Sequence, residues 1–77
     1  MANKISIELT NDEALVLFEF LARVAEQETL SNLFEDHSEQ RVLWYIEAEL
    51  QGNLLEPFHA DYLEILQQAR ERVRNKV

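Results

Sequence analysis

The chain has 77 residues, 47% of them hydrophobic and 29% charged, with one glycine, one proline and no cysteine. Disulfides and thiolate metal sites are therefore excluded, and so small a core usually needs support from a metal or from oligomerisation. The net charge of −8 is uneven: residues 1–66 carry 14 acids and 3 bases, a net −11, whereas residues 67–77 carry +3. So acidic a body disfavours nucleic acid and anionic membranes. No apolar run approaches the roughly 20 residues of a membrane span, and Met1–Lys4 leads into alternation rather than a leader-like apolar run. A single cytoplasmic domain over residues 1–77 is the expectation.

Taken in order, Lys4-Ile5-Ser6-Ile7-Glu8-Leu9 alternates polar and apolar residues, the period of a half-buried strand over about 4–9. A strand needs a partner for its backbone groups. Two are available: the same segment of another subunit, or Asn53-Leu54-Leu55-Glu56 of the same chain, which Pro57 ends. Thr10-Asn11-Asp12-Glu13 then fits a capping box and opens a first helix over about 11–27. At 100° per residue, its apolar side chains from Val16, Phe20 and Val24 round to Leu15 span roughly 260°. A surface helix shows an apolar stripe of about 100° or a little more. The first helix is therefore central, or shared with another chain.

Residues 28–36 read as a connection in which Leu30, Leu33 and Phe34 dip into the core. The second helix spans about 38–51, capped by Asp36 or Ser38. Val42, Leu43, Ile46 and Leu50 form its core stripe, Trp44 and Tyr45 lie on its flanks, and Gly52 is placed as its C-terminal cap. The third helix spans about 60–75, with Tyr62, Ile65, Leu66, Ala69 and Val73 on one face. The fold class is mainly α: an N-terminal β-strand followed by a compact three-helix arrangement.

The stretches ISIELTNDEALVL (Ile5–Leu17) and EQRVLW (Glu39–Trp44) resemble a family of small acidic helical bacterial proteins with no assigned function. The resemblance covers most of the chain. It implies a bacterial origin and a conventional small fold, and it carries no catalytic residues.

Chemistry-bearing residues are few. Glu35-Asp36-His37-Ser38-Glu39 gathers oxygen and imidazole donors at a helix start, but its spacing matches no metal motif, and capping accounts for it. His59 and Asp61 sit where either caps the third helix, with no nucleophile beside them in a recognisable motif. One glycine cannot build a phosphate loop. Arg70, Arg72, Arg74 and Lys76 form a small basic cluster that complements a helix C-terminus; these side chains have acids on the second helix or on a second subunit as candidate partners. The expectation is a protein that is not an enzyme and has no catalytic residues, no cofactor and no metal. It binds neither nucleic acid nor membrane, and it self-associates as a homodimer or higher oligomer. The interface candidates are Val16, Phe20, Val24, Trp44, Ile5 and Ile7. The alternative is an acidic inhibitor or antitoxin-like protein that masks a basic partner.

Overall fold

The computed structural model describes residues 3–25 and 34–76 and is mainly helical. Three helices follow in order: α1 (Asn11–Ala25), α2 (His37–Asn53) and α3 (Tyr62–Arg74), with a 3₁₀ turn at Glu56–Phe58 before α3. No helix among the described residues is long and apolar enough to cross a membrane.

The capping box at the start of α1 closes in both directions. The Glu13 amide donates to Thr10 Oγ1 at 3.1 Å, and the Thr10 amide donates to Glu13 Oε1 at 2.8 Å. Two of the orphan donors of a helix start are thereby satisfied by side chains three positions apart. At α2 the capping residue is Asp36, whose Oδ2 accepts from the Ser38 amide at 2.9 Å. Glu39 reaches one residue further back than a capping box requires, accepting from the Glu35 amide at 3.1 Å. Before α3, His59 Nδ1 accepts from the Asp61 amide at 3.1 Å, so the imidazole serves as a local cap.

α1 is the shared element, packing against both α2 and α3. It runs antiparallel to α3, as two contacts at opposite ends show. At one end Arg72 Nε and Nη2 grip Asp12 Oδ2 and Oδ1 at 2.7 and 3.0 Å. At the other, Tyr62 Oη donates to Glu19 Oε1 at 2.7 Å. Lys76 adds a looser pair to Glu13 at 3.5 Å, and Asn11 Nδ2 donates to Glu56 Oε2 at 2.6 Å, tying the start of α1 to the 3₁₀ turn. The core is small: Leu15, Leu54, Leu66 and Ala69 are buried together, with Leu21 buried further along α1. Ala14, Val16, Phe18, Leu50, Tyr62 and Ile65 pack partly buried around that cluster.

Four expectations need correction. The N-terminal strand over residues 4–9 is not formed: residues 3–10 carry neither helix nor paired strand. The reason is the lack of an in-chain partner. Asn53 belongs to α2, Leu54 is buried in the core, and Glu56–Phe58 turn into a 3₁₀ helix. Next, the stripe of α2 is a core stripe only in part: Leu50 packs partly buried against the core and Leu43 is half-buried, whereas Val42 and Ile46 are exposed. Gly52, expected as a C-terminal cap, lies inside α2 without a positive φ; Asn53 ends the helix by donating from Nδ2 to the Glu49 carbonyl at 2.7 Å. Finally, Arg72 and Lys76 pair with acids of α1 rather than of α2. The expected C-terminal end of the first helix and the Leu30 and Leu33 contacts lie outside the described residues.

Candidate interaction surface

The surface is defined by apolar side chains that the small core leaves open. α2 is amphipathic and 17 residues long, yet Val42 is 54% exposed and Tyr45 70%, and Trp44 and Ile46 stand more than a third exposed. On the segment before α1, Ile5 is 89% and Ile7 80% exposed, with Leu9 half as much. Scattered exposed apolar residues are ordinary on a soluble protein, whereas contiguous ones mark contact surfaces.

Of these, Ile5, Ile7, Leu9 and Ile46 are contiguous. Ile5, Ile7 and Leu9 form one wall of an open groove of about 510 Å³, and Leu17 of α1 with Ile46 and Leu50 of α2 form the rest, Glu49 being its one charged lining residue. The alternation of the segment puts its three apolar residues on the same side. The groove thus lies where α1 and α2 meet and where the N-terminal segment passes, and nothing among the described residues fills it.

The other expected interface residues fall on two further places. Val16 packs partly buried against the core and, with Phe20, Leu17, Arg70 and Val73, lines a second groove of about 350 Å³ between α1 and α3. Phe20 is half exposed there, with the Arg23 guanidinium 5.6 Å from its ring centroid. Such a cation over an aromatic face is favourable by about 0.5–1 kcal/mol at an exposed site. Val24 and Trp44 line a small pocket where α1 and α2 meet, together with Leu21, Phe34 and Leu43. The Trp44 and His37 rings meet in a T-shaped arrangement with their centroids 6.2 Å apart. The six residues therefore do not form one patch; Ile5 and Ile7 share theirs with Leu9, Leu17, Ile46 and Leu50. Leu9 and Ile46 were missed as surface residues because their periodicity is that of core positions.

The ionisable groups with shifted pKa lie in helix caps and in contacts between elements. Arg72, by hydrogen bond and by charge, holds the Asp12 carboxyl below the ordinary carboxylate range. The Thr10 amide does the same for Glu13, aided by Lys76, Ser38 does so for Asp36, and Asn11 for Glu56. Burial, together with the Glu19 carboxylate that accepts its hydrogen bond, pushes the Tyr62 phenol up. Among the described residues, no group of three or more His, Asp or Glu side chains is placed to hold a metal ion, and no buried side-chain polar atom lacks a partner. The Asp36 and Glu39 carboxylates accept from the Ser38 and Glu35 amides at the start of α2.

No protein family matches the chain, and comparison with curated proteins and with solved structures also finds no match.

Proposed function

We propose that the protein is a small self-associating interaction module, working as a homodimer or higher oligomer. One observation carries the reading: α2, a helix of 17 residues, buries none of its side chains, while the apolar row Ile5–Ile7–Leu9 stands open beside it. A domain of this size with so few buried residues has little stability of its own, and a second copy is the simplest source of further burial, given the absence of cysteine. Burial of apolar area contributes about 25 cal/mol per Å², so covering a groove of isoleucines and leucines on two subunits is a large favourable effect against the cost of association.

Light scattering after gel filtration, repeated across the micromolar range, tests the proposal. The expected result is a mass that climbs from that of one chain toward that of two or more. A mass equal to one chain throughout would remove the proposal. Ile46→Asp, which puts a charge into the groove, is expected to return the protein to the monomer with its helicity intact.

A further inference from the structure

Resting on that self-association, we infer that residues 4–9 form an antiparallel two-stranded ribbon with residues 4–9 of a second copy, in the register that sets Ser6 against Ser6 and Lys4 against Glu8. The segment is strand-like in sequence and unpaired in structure: its side chains alternate, it carries no ladder, and its candidate partner within the chain is committed to α2, the core and the 3₁₀ turn. An unpaired extended segment presents a row of free N–H and C=O groups, a template for another strand. The strand most readily offered is its own copy.

Symmetry and chemistry fix the geometry. In a two-fold dimer the interface is isologous, so adjacent copies of one strand run antiparallel and turn the same face to the same side. Ile5, Ile7 and Leu9 of both copies then face the same way, towards the grooves that they already flank with Leu17, Ile46 and Leu50. Face-preserving registers differ by which residue sits on the axis, since a slip of one residue would oppose apolar to polar side chains. With Lys4 or Glu8 on the axis, like charges face each other. With Ile5 on the axis Lys4 faces Ser6, and with Ile7 on the axis Glu8 faces Ser6. With Ser6 on the axis, Lys4 meets Glu8 of the second copy twice and Ile5 meets Ile7 twice. Opposite charges and apolar pairs directly across a ribbon are both stabilising, and like charges are not. The charge complementarity of Lys4 and Glu8 thus selects a second copy as the occupant and selects its register.

The test uses the full chain, whose lack of cysteine makes an introduced thiol the sole one. Residues directly opposite in an antiparallel ribbon have Cα atoms about 4.5–5.5 Å apart, within the span of a disulfide. Ser6→Cys is expected to oxidise to a covalent dimer at concentrations where the unmodified chain associates. Glu8→Cys places its two thiols about 13 Å apart and is expected to cross-link far more slowly. In parallel, Lys4→Glu is expected to weaken association about tenfold, and Lys4→Glu with Glu8→Lys to restore it to within about twofold. If the unmodified chain is monomeric, self-association fails and the ribbon with it. The ribbon alone is overturned, with self-association left standing, in any of three cases. These are that the chain dimerises while Ser6→Cys does not cross-link, that Glu8→Cys cross-links as readily, or that the double charge reversal is as weak as the single one.

Discussion

α1 and α2 are neighbours of similar length that the chain uses in opposite ways. α1 is apolar around most of its circumference and finds clients on two sides, α3 and α2, so Leu15 and Leu21 are buried. α2 has a conventional apolar stripe and, among the described elements, packs chiefly against α1, and no residue of it is fully buried. The contrast shows that the width of an apolar arc says how many neighbours a helix wants, whereas the number it gets depends on where the other elements lie. Among the described residues, exposed apolar surface lies on α2 and on the segment before α1, and again at Leu55, Phe58 and Leu63 around the start of α3, while on α1 Phe20 stands half exposed.

The sharpest way to break that contrast is to truncate a side chain in each helix. Leu15→Ala removes a fully buried side chain and is expected to cost about 3 kcal/mol in urea unfolding, enough to unfold much of so small a protein. Ile46→Asp on α2 is expected to cost the dilute monomer no more than about 1 kcal/mol, while raising the dimer dissociation constant more than tenfold. Equal losses of monomer stability from the two changes would mean that α2 is a core helix after all.

The pairing of α1 with α3 gives a pH signature. The folded-state pKa of Asp12 lies below its unfolded value because Arg72 engages the carboxylate. Its contribution is therefore present above the ordinary carboxylate range near pH 4 and is lost as pH falls through the depressed value. Glu13 acts in the same direction. Melting temperatures measured from pH 7 down to pH 2 should fall steeply at the acid end, and Asp12→Asn should lower the neutral value and flatten that fall. An unchanged acid slope in Asp12→Asn would show that the pair with Arg72 contributes nothing.

The smallest expected effect lies at the end of α2. Gly52 is helical, has no positive φ, and a Cβ built there meets nothing within 4 Å. Gly52→Ala should raise stability by about 0.5 kcal/mol, a shift of a few degrees in melting temperature. A loss instead would mean that the last turn of α2 needs the freedom of glycine.

Much of the fold was legible in the chain. Thr10 and Glu13 announced the start of α1, and the Leu66–Ala69 face of α3 followed from its 3.6-residue period. The expected strand over 4–9 is not formed, because alternation reports a tendency to pair and not the presence of a partner within reach. Gly52 misled because glycine after an apolar stripe signals a helix end, while the Asn53 side chain continued the helix one residue further by capping it. For the candidate surface, periodicity marks which face of α2 is apolar but does not tell whether another element lies over that face. Ile5 and Ile7 were visible as an apolar pair; their shared groove with Leu17, Ile46 and Leu50 depends on how α2 docks on α1.

The central claim is that a second copy completes what one chain leaves open, and the concentration dependence of thermal unfolding tests it most directly. When folding is linked to dimerisation, mass action raises the midpoint with protein concentration. For the unmodified chain, a hundredfold increase within the micromolar range should raise the melting temperature by about 5–10 °C. A midpoint that stays the same over that interval would contradict the account.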